Sequence, residues 1–157
     1  MDKPQGLDSP MTARIIKYGA RAQVRVFRLT NGRIGSKWRI GAGFRKPVPT
    51  LLLNHVGRKS GRTFTTPLLY LDDGAVLVIV ASQGGLPKNP QWYPNLVAQP
   101  DVTVELRGEG VRRVRARTAG PDERAAWWPR LVELYADFDS YQSWTDREIP
   151  VVVLERR

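Results

Sequence analysis

The amino-acid sequence predicts an α+β, mainly β domain in which six or seven antiparallel strands close into a small barrel flanked by two or three helices. Three observations predict it. Short β-branched or alternating runs recur along the chain, separated by turns rich in glycine and proline. The regular strand-helix-strand alternation of a parallel nucleotide-binding sheet is absent. With 157 residues, 41% hydrophobic and 25% charged, the chain matches an average globular protein and fits a single domain with one core.

Leu51 to Val56 reads as a strand, and Thr65 to Leu71 as another that approaches the turn Asp72-Asp73-Gly74. That turn leads into Ala75 to Ala81, a β-branched run suited to burial on both faces, so the three are expected to form a meander. A breaker-rich loop, Ser82 to Pro90, precedes a short helix over Trp92 to Ala98. Val102 to Arg107 and Val111 to Thr118 flank Gly108-Glu109-Gly110 as a second hairpin. Gly120-Pro121-Asp122-Glu123 carries the proline and acids that suit a helix start, and helical spacing runs through Tyr135. Ile149 to Leu154 closes the barrel. Before Leu51, residues 1 to 11 read as a loose terminus, and one short strand is expected around Trp38 to Ala42.

The composition excludes several chemistries. With no cysteine, disulfides, thiolate metal sites and cysteine nucleophiles are ruled out, and with His55 as the sole histidine so are a catalytic triad and a multi-histidine metal centre. No metal site is expected. The start lacks an apolar segment, and the aliphatic run Ala75 to Ala81 is far shorter than the roughly 20 residues of a membrane span. A cytoplasmic protein is expected.

The net charge of +10 is unevenly distributed. Through Arg62 there are 14 Lys and Arg against Asp2 and Asp8, giving +12; the remainder holds 11 basic and 13 acidic residues, giving −2. Arg14, Lys17, Arg21, Arg25 and Arg28 recur at steps of three and four, so on a helix they form one basic stripe. Residues 1–30 thus read as a basic amphipathic extension, and 31–157 as the barrel domain. The stripe is either a solvated face over a packing stripe or a surface for a polyanion. An anionic membrane on the inner face of the cell is one such surface, and nucleic acid, gripped by the basic arm and an arginine-laced hairpin, is another.

Three constellations carry chemistry. Asn54-His55-Val56-Gly57-Arg58-Lys59-Ser60-Gly61-Arg62 leaves a strand and packs cations and glycines into one turn, which suits a phosphate or carboxylate cradle as well as it suits a solvated hairpin end. Ser82-Gln83-Gly84-Gly85 comes off the most apolar strand and permits close backbone approach to a planar ligand. Tyr135, Phe138, Tyr141 and Trp144 repeat every three residues, as a helical or 3-10 turn with one aromatic face would. That face is either a core-packing lid or a wall on which a substrate stacks.

Taken in order, these segments resemble the deazaflavin-dependent nitroreductase and quinone reductase family of actinobacteria. The resemblance spans about residues 50 to 154. It rests on Gly57-Arg58-Lys59-Ser60-Gly61, Thr66-Pro67-Leu68, Val80-Ala81-Ser82-Gln83-Gly84-Gly85, Lys88-Asn89-Pro90-Gln91-Trp92-Tyr93-Pro94-Asn95-Leu96, Tyr141-Gln142-Ser143-Trp144-Thr145-Asp146-Arg147 and Ile149-Pro150-Val151-Val152. It implies a split β-barrel of the FMN-binding type that carries reduced coenzyme F-420, an 8-hydroxy-5-deazaflavin with a phosphate and an oligoglutamate tail, and passes its hydride to a quinone or nitroaromatic acceptor. It further implies that Arg58, Lys59 and Arg62 hold the phosphate and tail, with Ser60, Gly61 and Thr63 adding polar contacts. Thr66, Pro67, Leu68, Ser82, Gln83, Gly84 and Gly85 are implied to line the ring, Leu52, Leu53 and Asn54 to bind the cofactor, and Trp92 and Asn95 to close the groove. Tyr135, Phe138 and Tyr141 are implied to form the substrate wall, with Tyr135, Tyr141 and Ser82 catalytic. Phe138 stands where well-studied members carry a tyrosine, and Gln83 where they often carry lysine. No nucleic acid is expected on this reading.

Overall fold

Eight strands and four α-helices build the fold in the computed structural model, which describes Gly6 and residues 9–38 and 46–157. In chain order these are α1 Pro10–Thr30, β1 Lys37–Trp38, β2 Val48–Val56, β3 Thr63–Leu69, β4 Leu71–Asp72 and β5 Val76–Val80. A 3-10 turn at Gln83–Gly85, α2 Trp92–Ala98, β6 Asp101–Leu106, β7 Gly110–Thr118, α3 Pro121–Leu134, α4 Asp137–Ser143 and β8 Val151–Arg156 follow.

The ladders run in a ring. β2 pairs with β6, β6 with β7, β7 with β8, β8 with β5, and β5 with β4, all antiparallel. β3 pairs with β2 on the far side, Leu51 opposite Leu68. The seam is Tyr70, between β3 and β4, whose N–H leaves both ladders and donates to the Pro49 carbonyl. The expected meander is present with a bend: β3 and β4 form one run that pairs with β2 on one side and, through Leu71 and Asp72, with β5 on the other. The strand expected over Trp38 to Ala42 survives as β1, while residues 39–42 lie outside the described residues.

Strand periodicity explains the core. Leu51 and Leu53 of β2, Leu77 and Ile79 of β5, Val104 of β6 and Val152 and Leu154 of β8 point into the barrel. The alternate residues of β5 and β8, Val78, Val80, Val151 and Val153, face outward beneath α3 and α4, where Leu131, Tyr135 and Phe138 cover them. β5 is thus buried on both faces, as its β-branched run predicts.

α1 begins earlier than the expected loose terminus allows. Ser9 caps it by accepting the Thr12 N–H at 3.2 Å, with Pro10 in the first turn. Val24 and Phe27 pack on Leu52, the outward residue of β2. Arg28 of α1 pairs with Glu105 at 2.9 Å and also donates to Asn54 and Thr65. The helix is thus tied to the sheet rather than projecting from it. The fourth helix, α4, arises because Tyr135 ends α3 in an extended conformation (φ −148, ψ 98), so the aromatic repeat does not continue one helix.

Candidate functional site

Between α1, the turn after β2 and the start of α2 lies a groove of about 930 Å³. Lys17, Arg21 and Arg25 line it from α1, and Arg58, Lys59 and Arg62 from the turn. No carboxylate is among its lining residues. The turn is tightly closed: the Gly57 N–H donates to the Arg62 carbonyl and the Gly61 N–H to the Gly57 carbonyl, both at 2.8 Å. A Cβ at Gly57 would lie 2.7 Å from Ser60 Oγ and 2.8 Å from the Phe64 ring, so both side chains would have to shift to admit one. Six cations lining one groove, with no carboxylate among its lining residues, give it the charge to hold a polyanion.

Beneath the cations runs a buried polar chain. Asn95 Oδ1 accepts from the Arg58 backbone N–H at 3.1 Å and from Arg58 Nη1 at 2.9 Å, while Arg58 Nη2 donates to Gln91 Oε1. With its oxygen so engaged, the Asn95 amide turns its NH₂ to His55 Nδ1 at 3.1 Å. His55 therefore carries its proton on Nε2 and donates to Thr66 Oγ1 at 3.0 Å. Burial pushes the imidazole down to about 4, so it is neutral at physiological pH. Thr66, His55, Asn95 and Gln91 thereby fix one guanidinium at the groove mouth. Arg58 retains further N–H donors for a ligand.

Eight of the expected cofactor residues meet at this groove: Arg58, Lys59, Ser60, Arg62, Thr63, Thr66, Trp92 and Asn95; Gly61 shapes its turn. Others do not. Leu52 and Leu53 are wholly buried, one under α1 and one inside the barrel, so their side chains serve the core and offer a ligand no surface. Asn54 is spent on Arg28, Thr65, Thr103 and Glu105, and that cluster holds the Glu105 carboxyl below its ordinary range, chiefly through the Arg28 hydrogen bond. Leu68 packs on the barrel core and Pro67 sits opposite Leu52 in the ladder. His55, Gln91 and the three α1 cations were not read as site residues. The signal for His55 was present: it continues the inward alternation of Leu51 and Leu53 with a polar ring next to a basic turn.

Ser82 to Gly85 and the aromatic residues form a second cluster that does not line the groove. Three successive residues here, Gln83, Gly84 and Gly85, have positive φ (44°, 61° and 76°). At Gly85 a Cβ would meet the Tyr141 carbonyl oxygen at 2.7 Å, so the turn presses directly on the α4 backbone. Arg147 holds the loop from within, donating to the carbonyls of Ala81, Ser82 and Leu86 and to Asn89 Oδ1 at 2.7 to 3.2 Å.

Tyr135 and Phe138 are buried, their rings 5.2 Å apart at 75°. Trp38 Nε1 donates to the Tyr135 hydroxyl at 3.1 Å. Both rings pack over Val78, Val80 and Val153 in the core outside the barrel. Tyr141, half-buried and 3.4 Å from the Tyr135 hydroxyl, is the member with an accessible edge, beside Trp144 at 5.5 Å. Burial raises both tyrosines above the ordinary phenol range, so both hydroxyls keep their protons.

The family described as F420H(2)-dependent quinone reductase matches residues 19–156, from inside α1 to the last strand. The chain belongs to that family. A Mycobacterium tuberculosis protein given the family's name is 57% identical over 119 residues, 76% of this chain and 99% of the relative. An F420H(2)-dependent quinone reductase of the same organism is 42% identical over 135 residues, 84% and 86% of the two chains. A solved F420-H2 dependent reductase, 40% identical, superposes with a TM-score of 0.62 over 68% of this chain and 94% of its own. The split-barrel fold, reduced coenzyme F-420 as hydride donor and a quinone as acceptor class follow from membership.

Proposed function

We propose that the cationic groove receives the phosphate and carboxylates of reduced coenzyme F-420, and that a quinone is reduced beside the Ser82–Gly85 turn and Tyr141. The observation that carries this reading is the groove itself: six cations, no carboxylate, and a guanidinium held in place by Asn95 and Gln91. Its size and donor set fit a phosphate with an acidic tail.

When bound, the coenzyme supplies a hydride, because carbon stands where a flavin has the nitrogen that supports radical and oxygen chemistry. The chain's residues do the rest. Lys59 and Arg62 screen the anion's charge, Trp92 bounds the groove toward the barrel, and Gly85 lets the loop lie against α4. Reduction of a quinone carbonyl leaves its oxygen needing a proton, and the protonated Tyr141 hydroxyl is the donor, with Ser82 as a second hydroxyl on the same side. A nitroaromatic has the same need at its nitro oxygen, which the Tyr141 hydroxyl would meet in the same way.

α1 supports a second element of the proposal. Met11, Ile15, Ile16, Tyr18 and Leu29 are exposed on the helix, beside its cations. Such a surface settles at the interface of an anionic bilayer and brings the enzyme to membrane-dissolved quinones. No described helix is long and apolar enough to cross a membrane.

The test is a fluorescence titration with the coenzyme, followed by recovery of the oxidised coenzyme's absorbance when a quinone is added to the reduced complex. Absence of either result overturns the proposal. Lys59→Ala weakens coenzyme affinity by about fivefold, ~1 kcal/mol, with an unchanged melting temperature.

A further inference from the structure

Arg147 joins the two elements that carry the Ser82 and Tyr141 hydroxyls. Its guanidinium donates to the carbonyls of Ala81 and Ser82 at 3.2 and 2.8 Å, to that of Leu86 at 3.0 Å and to Asn89 Oδ1 at 2.7 Å. Its own carbonyl accepts from Gln142 Nε2 at 2.8 Å, and Gln142 follows Tyr141 in α4. One residue thus grips the Ser82 turn with its side chain and the Tyr141 helix with its backbone.

All four side-chain partners are neutral oxygens. None of the ion pairs among the described residues includes Arg147, and the stretch from Ser82 to Asn89 contains no acid. The flanking Asp146 and Glu148 are exposed, and Glu148 lies 3.6 Å from Arg124. Arg147 is half-buried, and although burial lowers its pKa the guanidinium keeps its proton at physiological pH. The turn therefore lies against a full positive charge that no ion pair offsets. The 2.8 Å bond and the reach of one residue put that charge within about 7 Å of the Ser82 hydroxyl. A charge fixed in this way acts on nearby reacting atoms without having to reorganise. Asp137 exerts the opposite field on the Tyr141 hydroxyl, so an anion forming there needs a cation close by.

Quinone reduction takes a hydride, two electrons with one proton, from the reduced deazaflavin. One quinone oxygen then carries a negative charge until the Tyr141 hydroxyl gives it a proton. We propose that Arg147 is the electrostatic positioning residue of this step: it holds the Ser82 turn and the Tyr141 helix in one fixed relation, and its charge stabilises the anionic hydroquinone oxygen formed beside them. This rests on the acceptor site assigned to Ser82 and Tyr141 above and adds to it the source of its positive potential.

The experiment changes the charge while keeping the fastening. In Asn89→Asp a carboxylate replaces the amide oxygen 2.7 Å from Arg147 Nη1, so the hydrogen bond remains and the charge is offset. The wild type, Asn89→Asp, Arg147→Lys and Arg147→Met are assayed with benzoquinones from unsubstituted to fully methylated, whose oxygens tolerate negative charge progressively less. Asn89→Asp is expected to keep the melting temperature and the quinone KM, and to lose kcat about tenfold with the fully methylated quinone but far less with the unsubstituted one. Arg147→Lys keeps the wild-type dependence on methylation at a lower kcat, because the charge stays while the fastening loosens. Arg147→Met steepens the dependence, as Asn89→Asp does. A second readout needs no turnover: 4-nitrophenol, whose anion stands for the hydroquinone anion, is titrated by absorbance on protein saturated with oxidised coenzyme. It is expected to ionise at lower pH on the wild type than in solution, and the shift is expected to vanish in Asn89→Asp.

The same dependence on methylation in Asn89→Asp as in the wild type overturns the charge role, and so does a phenol whose ionisation does not shift on the wild type. In either case the acceptor site stands and Arg147 only fastens its loop. Asn89→Asp leaves Arg147 in place, so the decision holds even where Arg147→Met fails to fold. If the wild-type protein reduces no quinone, the acceptor reading falls and the charge role with it.

Discussion

The groove under α1 and the aromatic cluster at α4 are built in opposite ways. The groove is open, cationic and shaped before any ligand arrives, its key guanidinium fixed by a neutral histidine and an asparagine. The cluster is closed and apolar, with Tyr135 and Phe138 packed into the second core and one tyrosine edge accessible. The contrast teaches a division of labour. Anchoring rests on charges already in place, so little reorganisation accompanies binding. On the proposed function, acceptor reduction rests on a compact aromatic unit whose hydroxyls stay protonated through burial, and which a small planar acceptor meets at its rim.

Each half can be disturbed separately. The largest expected effect is at Asn95: Asn95→Leu leaves the Arg58 donors and His55 Nδ1 without their partner, costing about 3 kcal/mol of stability by urea titration and weakening coenzyme affinity. The quinone KM should not move, and a change there would mean the two regions are not independent. Next is Gly85→Ala, which combines a positive φ with a 2.7 Å approach to the Tyr141 carbonyl. It should cost about 2 kcal/mol and lower kcat, while coenzyme affinity holds. Tyr141→Phe should lower kcat about tenfold without changing the melting temperature; unaltered turnover would remove the tyrosine from proton donation.

The smallest effect is pH dependence from His55. Its folded value lies near 4 against 6.5 in the unfolded chain, so the unfolded chain binds the proton more readily between those values. Its contribution to stability is whole above pH 6.5 and declines as pH falls toward 4. Urea midpoints at pH 7 and 4.5 should converge in His55→Gln more than in the wild type.

The sequence was most readable where local pattern suffices. The helix at Trp92–Ala98 was placed to the residue, since breakers bound it on both sides, and β5 followed from an uninterrupted β-branched run. The cationic turn was visible as a turn, since three charges and two glycines follow a strand there, but the residues alone left an anion cradle and a solvated hairpin end equally open. What escaped depends on residues distant in the chain. The bend at Tyr70 that moves the chain from β2 to β5 answers to barrel closure, not to any residue's propensity. The three α1 cations became groove residues because Val24 and Phe27 seat the helix on Leu52, a contact between segments some 25 residues apart. Tyr135 kept the spacing of its aromatic neighbours, yet the chain breaks there between two helices, and its burial follows from that break. At Ser82 to Gly85 the glycine pair signalled a close backbone approach and the resemblance supplied the rest; Arg147, which organises that loop, gave no local sign of doing so.

Arg147 and β8 also bear on how the protein is completed. The last strand inserts between β5 and β7, in the middle of the ring, and the arginine just before it fastens a loop 58 to 66 residues upstream. A sheet without β8 is open between β5 and β7, and a Ser82–Gly85 loop without Arg147 is unfastened, whatever the basic turn has already formed. The loop beside Tyr141 thus depends on residues distant in the chain, and loss of β8 removes its support along with the fold.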